Sequence, residues 1–346
     1  MENNYTFIEK FLHFLYLSNN SKNIRIFLFN IEKFFFRERV NKLSYKMKPV
    51  FVLGFARSGT TIIAESLYKT ENFASLNYNH MPFIMAPNIW SFISRIHKKI
   101  ITPSQRAHKD NIFIDNNSIE SFEEVFWNTF QKKFKKKNFL AAHTFNKTTY
   151  DYYNIFQSLV CIACNKNRYL SKNNNNILRL KSLLDKSDDL SIFIIPFRDP
   201  VDQSISLLNQ HRNFTQSTNF ESTYMSWLNH HEFGSGHKPF KFSTSIESKF
   251  NQDNINYWIH QWNQYYLEVL KIISKSKKSI YLIPYNSLCT NKFVWQNLCN
   301  QIEINNKVNI KFRFKTYKKP NGVNKSLQNL SSRIYKELLN HKFTIK

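Results

Sequence analysis

The sequence is poor in cysteine, glycine and acidic residues. Its 346 residues include 4 Cys, 5 Gly and 24 Asp plus Glu, against 49 Lys plus Arg. Four cysteines are too few to cross-link a chain of this length. Cys161 and Cys164 form a C-x2-C pair, but no second pair or histidine spacing completes a zinc site. We therefore expect buried thiols in an apolar helix and no metal.

Long apolar runs are also missing. Every uninterrupted apolar stretch falls well short of the roughly 18 residues that a membrane-spanning helix needs. Charged residues interrupt the N-terminus from the start, at Glu2, Glu9 and Lys10, and no signal-peptide pattern is present. These observations predict a cytoplasmic protein without a membrane span.

Positive charge and aromatic rings are abundant instead. The formal net charge is +25, and 33 Phe help to raise the aromatic content to 16%, enough for a substantial core in one α/β domain. Such a charge attracts polyanions, including acidic glycans and nucleic acid. Lysine and asparagine are used throughout, however, as in residues 132–137 and 173–176, and no nucleic-acid-binding signature is present. We interpret most of the charge as compositional and predict no specific nucleic-acid partner.

Two of the five glycines belong to one motif. Residues 50–61 read VFVLGFARSGTT: a short apolar strand, a turn with the spacing Gly54-x4-Gly59, and the start of an apolar helix. This arrangement points backbone N–H groups and a helix N-terminus at a phosphate, as in a P-loop. Thr60 stands where a nucleotide triphosphatase has the lysine that works with Mg²⁺ on the β- and γ-phosphates. The loop, with Arg57 inside it, predicts a nucleotide that ends at a 5′-phosphate-type group and needs no metal.

A second phosphate site is predicted downstream. Residues 191–197 are an apolar run typical of a buried parallel strand, and Arg198 follows it directly. Asp199 can cap a helix that Pro200 opens. Arg198 then lies at the C-terminal end of a strand, where open α/β sheets bind ligands. Ser206 lies about two helical turns further along the same face, so one cation and one hydroxyl can bind a second phosphate.

The two motifs resemble those of the sulfotransferases that use 3′-phosphoadenosine 5′-phosphosulfate (PAPS) and release the nucleotide PAP. The resemblance covers roughly residues 48–330 and implies an α/β fold, a P-loop-like parallel sheet flanked by helices, with no metal. Residues 78–83, 122–127 and 230–234 look like an uncharacterised bacterial subgroup. The implied site residues are Arg57, Ser58, Gly59, Thr60 and Thr61 at the 5′-phosphosulfate, Arg198 and Ser206 at the 3′-phosphate, and Lys172 as a second catalytic cation beside Arg57.

The acceptor hydroxyl must lose its proton, so sulfuryl transfer needs a base. The resemblance implies a catalytic glutamate in the region after the first loop. This chain has no acid at that spot, and we predict His80 as the base. The alternatives are His108, His143, His230, His231 and His237. Residues 230–232 resemble a metal site, but adjacent helical residues point about 100° apart, so we interpret them as polar lining of the acceptor cleft.

Hydrophobic periodicity divides the chain into two parts. Residues 1–46 predict two amphipathic helices, separated near residues 18–23, that pack on the rest of the protein or lie on a membrane surface. Residues 47–346 form the predicted sulfotransferase domain. Within it we expect helices over residues 119–137, 152–165, 220–231 and 254–275, and strands over residues 177–180 and 279–284.

Two other functions stay open at this stage. A P-loop nucleotide kinase or ATPase shares the loop geometry, but the chain lacks its lysine and a clear metal-binding carboxylate after an apolar strand. A non-catalytic basic protein that binds nucleic acid or a membrane surface is the third hypothesis. Carbohydrate, tyrosine, lipid-headgroup and small-molecule hydroxyls all fit as acceptors, a glycan among them, and the sequence is compatible with any oligomeric state.

Overall fold

A four-stranded parallel sheet organises the protein. The computed structural model describes residues 7–44, 47–94, 104–105, 113–131, 134–214, 219–276, 278–305, 310–313, 315–318 and 320–341. Its strands are β1 (Val50–Val52), β2 (Ser104–Gln105), β3 (Phe113–Ile114), β4 (Leu140–Ala141), β5 (Leu170–Lys172), β6 (Ile192–Phe197), β7 (Phe240–Lys241) and β8 (Ser279–Pro284). The main sheet has the order β5-β1-β6-β8, and all its neighbours are parallel.

Fourteen α-helices are assigned among the described residues. They are α1 (Phe7–Leu17), α2 (Lys22–Phe35), α3 (Arg37–Ser44), α4 (Thr60–Tyr68), α5 (Pro87–Ser94), α6 (Glu124–Phe130), α7 (Lys147–Ala163), α8 (Leu180–Lys186), α9 (Pro200–Asn213), α10 (Asn219–Trp227), α11 (Ile255–Ile273), α12 (Tyr285–Thr290), α13 (Lys292–Gln301) and α14 (Lys325–Asn340). No helix in this part of the chain is both long and apolar enough to cross a membrane.

The two faces of the main sheet bury separate hydrophobic clusters, because side chains alternate along each strand. On β1, Val50 and Val52 belong to one cluster and Phe51 to the other. Helices α4, α12 and α13 contribute to the first cluster, and α9, α11 and α14 contribute to the second. The predicted α/β fold, a parallel sheet flanked by helices, is therefore confirmed.

The predicted elements differ from the observed ones mainly between the strands. The strand predicted over residues 177–180 is wrong, because Asn174–Arg179 form a 3-10 helix that continues into α8. Of the long helix predicted over residues 119–137, only α6 is α-helical among its described residues. The expected strand over residues 279–284 is confirmed, and α11 lies within the expected helix over residues 254–275. The expected helix over residues 220–231 ends early, at Trp227.

The N-terminal helices pack on the rest of the protein. A 3-10 turn, Asn19–Ser21, separates α1 from α2, and a third helix, α3, follows. Tyr16, Phe29 and Val40, one from each helix, are buried in the same hydrophobic cluster as Phe51 of the sheet. Of the two predicted alternatives for these helices, the structure shows packing on the rest of the protein. The domain boundary at residue 46 stays a prediction.

Candidate active site

Three neighbouring strands deliver the predicted site residues to one edge of the sheet. The chain passes from β1 to β5 on one side and later to β6 on the other side, so β1 lies at the point where the strand order reverses. Open α/β sheets bind ligands at such a point, beyond the carboxyl ends of the strands. Lys172 ends β5, the loop of residues 54–61 follows β1, and Arg198 follows β6.

The loop after β1 has the backbone of an anion-binding turn. Arg57 and Gly59 have φ angles of 69° and 107°, so the chain turns sharply just before α4 begins at Thr60. A side chain at Gly59 would meet the ring of Tyr285 at 2.4 Å, so this close approach and the positive φ both require glycine. The first N–H groups of α4 have no acceptor within the helix and point toward the loop side, where a phosphate would bind.

The structure brings the two predicted phosphate motifs into direct contact. The Nε of Arg57 donates to the Oγ of Ser206 over 3.2 Å. Arg198 donates from a terminal guanidinium nitrogen to the carbonyl oxygen of Arg57 over 3.3 Å. Gln203 of α9, which lies between Arg198 and Ser206 in the sequence, donates to the carbonyl oxygens of Phe55 and Ala56. One site therefore contains both motifs.

Arg198 is held at the start of α9 with one donor still available. Asp199 caps α9 by accepting from the N–H groups of Val201 and Asp202, and Pro200 is the first residue of the helix, as the sequence predicts. A second guanidinium nitrogen of Arg198 donates to the carbonyl oxygen of Lys315 over 2.9 Å. Its Nε is buried without a hydrogen-bond partner in the described chain. A buried, unpaired cationic donor fits an anionic ligand.

Lys172 lies in a buried ion pair. Its Nζ is 2.8 Å from Oε2 of Glu120, and both side chains are almost inaccessible to solvent. Lys172 also lines a narrow cleft with Arg57, Thr60 and Thr61. Glu120 therefore orients the lysine beside the loop, a contact that the sequence analysis did not anticipate. Removing the lysine alone would break a buried ion pair, at a cost of about 3–5 kcal/mol of stability.

The same cleft contains a carboxylate on its other wall. Glu232 and His230 line it opposite the loop, together with Asn174. The hydroxyl of Thr60 donates to Oδ1 of Asn174 over 3.1 Å, and Nδ2 of Asn174 donates to Glu232 over 3.3 Å. Asn174 thus connects the phosphate loop to Glu232, and the polar lining expected of residues 230–232 is present at two of its three positions.

Comparison with known protein families shows the family of this chain. Residues 49–234, more than half of the chain, match a family profile described as "Sulfotransferase family". The chain belongs to the sulfotransferase family. No curated protein sequence matches this sulfotransferase.

Solved bacterial sulfotransferases give weaker likenesses. STF1 from Mycobacterium tuberculosis H37Rv is 10% identical with a TM-score of 0.47, and the match covers 92% of this chain and 77% of that one. STF9 from Mycobacterium avium is 14% identical with a TM-score of 0.49, covering 87% and 78%. A sulfotransferase from Alicyclobacillus acidocaldarius is 12% identical with a TM-score of 0.40, covering 86% and 97%. All three TM-scores lie below 0.5, so the family assignment rests on the sequence match.

Two buried carboxylates, Glu123 and Glu124, bind segments that continue into the sulfotransferase cleft. Glu123 accepts five hydrogen bonds of 2.8–3.0 Å, and Glu124 accepts three of 2.6–2.8 Å. The donors to Glu123 are Tyr153, Tyr169, Ser171, Asn173 and Asn176, and the donors to Glu124 are Asn173, Arg179 and Asn229. Because Asn173 follows β5 and Asn229 precedes His230, this network ties Lys172 to the opposite wall.

His80 has a different setting from the cleft residues. It ends a short 3-10 helix, where its Nδ1 accepts from the N–H of Asn77, and its Nε2 is 3.9 Å from the Sγ of Cys164. Burial lowers the pKa of His80 to about 4. The residues that line the cleft beside Arg57 do not include His80. Its role as base stays a prediction.

The other candidate histidines divide into structural and cleft residues. Burial lowers the pKa of His143 and of His231 to about 3 and that of His237 to about 4. His231 and His237 bond to carbonyl oxygens of the loop around residue 234, and His143 stacks on Phe134. His108 lies outside the described residues. His230 is the histidine of this group that lines the cleft.

Proposed function

We propose that the protein transfers a sulfuryl group from PAPS to an acceptor hydroxyl, without a metal. The observation that carries this proposal is the contact between the two phosphate motifs, Arg57 to Ser206 and Arg198 to the backbone of Arg57. A nucleotide with phosphates at both its 5′ and 3′ positions needs two adjacent anion sites. The loop of residues 54–61 fits the 5′ end, and Arg198 with Ser206 fits the 3′-phosphate.

The geometry argues against the kinase or ATPase alternative. The hydroxyl of Thr60, at the position of the missing lysine, is bonded to Asn174. The carboxylate after the apolar strand β6 belongs to Asp199, and it accepts two backbone N–H bonds as a helix cap. A carboxylate held in this way does not resemble a ligand of a nucleotide-bound Mg²⁺.

The proposed transfer needs positive charge where the donor bond breaks. The bond between sulfur and the bridging oxygen of PAPS breaks, the electron pair stays on that oxygen, and a new bond forms to the acceptor oxygen. Negative charge therefore grows on the bridging oxygen. Arg57, the first N–H groups of α4 and Lys172 are the donors that line this end of the cleft. Fixed donors of this kind stabilise the transition state more than the ground state.

We propose Glu232 as the base that takes the proton of the acceptor hydroxyl, and we keep His80 as the rival. Glu232 is half-buried, lines the cleft with Arg57 and Lys172, and receives one hydrogen bond from Asn174. A base must lie within hydrogen-bonding reach of the proton it accepts. An acceptor hydroxyl seated in the cleft would lie beside the Glu232 carboxylate, which supports this proposal. His80 has both ring nitrogens next to protein groups, and it is not among the residues that line the cleft beside Arg57.

Nucleotide binding tests the proposed function without knowledge of the acceptor. We expect PAP, in buffer with EDTA, to raise the melting temperature of the purified chain, because a ligand that binds only the folded state stabilises it. ATP with Mg²⁺ serves as the comparison and is expected to give a much smaller shift. A shift with ATP and Mg²⁺ but none with PAP would favour the kinase or ATPase. No shift with either would favour the non-catalytic alternative.

A further inference from the structure

The outward side of α2 is apolar, which reverses the usual pattern of a helix packed on a core. Ile24, Phe27, Ile31, Phe34 and Phe35 recur at intervals that place them on one side of the helix. The rings of Phe27, Phe34 and Phe35 are 62%, 71% and 72% exposed. Single exposed apolar residues are ordinary on protein surfaces, but a stripe of large rings along one helix marks an interaction surface.

Polar contacts fix this orientation of α2. On the inward side, Arg25 donates to Thr129 over 2.8 Å and to the carbonyl oxygen of Tyr16 over 2.7 Å. Glu32, also buried, accepts from the backbone N–H groups of Asn88 and Ile89 at the start of α5. Rotating the stripe inward would remove both charged side chains from their partners at a large cost. These contacts therefore keep the apolar side of α2 on the outside of the protein.

Two other helices also expose large apolar side chains. On α1, Phe11, Phe14 and Leu15 are exposed at helical spacing, and on α5 Phe92 and Ile93 are exposed. The continuous stripe is that of α2, and we refer to it as the aromatic face.

Cations accompany the aromatic face. Arg37, Arg39 and Lys42 of α3, the helix that follows Phe35, are exposed, whereas Lys33 of α2 lies on the inward side over the ring of Tyr152. Glu38 is the one exposed carboxylate among the described residues of α2 and α3. Large apolar side chains with lysine and arginine beside them are typical of helices that lie in the interface of a bilayer with anionic lipids.

We propose that the aromatic face binds the surface of a membrane that contains anionic lipids, with the Phe rings among the acyl chains and the cations at the headgroups. A second copy of the chain is the other occupant to consider. It is disfavoured because two chains of net charge +25 repel each other, and the cations of α3 would approach one another across such an interface. This inference does not depend on the reaction that the cleft performs.

Co-sedimentation of the full chain with vesicles tests the proposal. We expect the protein to pellet with vesicles of phosphatidylcholine plus about 30% phosphatidylserine, and far less with phosphatidylcholine alone. Raising the salt from about 0.1 M to about 0.5 M should weaken the binding. The double variant Phe27→Ser/Phe34→Ser should reduce the apparent partition coefficient about tenfold or more, because both rings leave the interface.

The matched control is Phe293→Ser, which removes a ring that is 57% exposed on α13, outside the aromatic face. This variant should bind vesicles as the unchanged chain does, and unaltered circular dichroism and melting temperature should show that all variants fold. Equal loss of binding in the control would overturn the proposal, as would binding that ignores Phe27 and Phe34. A lipid-independent dimer that the double variant dissociates, seen by light scattering, would instead assign the face to a second copy.

Discussion

Replacing Arg57 with alanine is expected to lower the turnover number about 10²–10³-fold, the usual effect of removing one donor aimed at transition-state charge. Arg57 lies inside the loop of residues 54–61 and lines the cleft, and in the proposed transfer its guanidinium stabilises the charge that develops as the sulfuryl group leaves. Binding of PAP should weaken much less than turnover falls, because that charge is absent from the ground state. The measurement compares transfer of labelled sulfate from PAPS with PAP affinity by calorimetry.

Ser206→Ala is the control for this experiment. It removes the hydroxyl that accepts from Nε of Arg57 but leaves the guanidinium in place. We expect this change to affect PAP affinity more than turnover. If Arg57→Ala weakened PAP binding and left turnover unchanged, Arg57 would be a binding residue and its catalytic assignment would be wrong.

Glu232→Gln is expected to cut turnover about 10²–10⁴-fold and to leave PAP affinity intact, because general base catalysis contributes this much and the donor half of the site is unchanged. Glutamine keeps the shape of the side chain and an oxygen for the bond from Asn174. The parallel variant is His80→Asn, whose side-chain oxygen can still accept from the N–H of Asn77. We expect near-normal turnover in that variant.

The opposite result would assign the role of base to His80. A large loss of turnover in His80→Asn, with the fold intact and Glu232→Gln active, would make His80 the base. Equal and partial losses in both variants would mean that neither carries the proton transfer alone, which contradicts our assignment.

The donor half of the site was accessible from the sequence because it depends on local chemistry. The local sequence determines the backbone conformation of a Gly-x4-Gly turn after a strand and of a helix cap after an arginine. The strand ends of a parallel sheet then meet at one edge. Arg57, Arg198 and Ser206 could therefore be assigned to one site before their contacts were known.

The opposite wall could not be predicted in the same way, because it depends on contacts between distant parts of the chain. Asn173 and Asn176 belong to an asparagine run that looked compositional, yet both donate to the buried Glu123. Residues 177–180 have the composition of a strand, but Asn176 and Arg179 reach buried carboxylates from a helical turn instead. Carboxylates are scarce in this chain, so their concentration at residues 120–124 was the available signal.

We propose that one nucleotide spans both phosphate motifs, and the comparison of PAP with AMP tests this most directly. AMP lacks the 3′-phosphate. Calorimetric titration of the unchanged chain should give a PAP affinity about 1.5–3 kcal/mol better than that of AMP, the range for hydrogen bonds to charged groups. In Arg198→Ala this difference should largely vanish, whereas the control Arg212→Ala, on the exposed side of α9, should keep it. Equal affinities for PAP and AMP in the unchanged chain, or a difference that survives the loss of Arg198, would contradict the account.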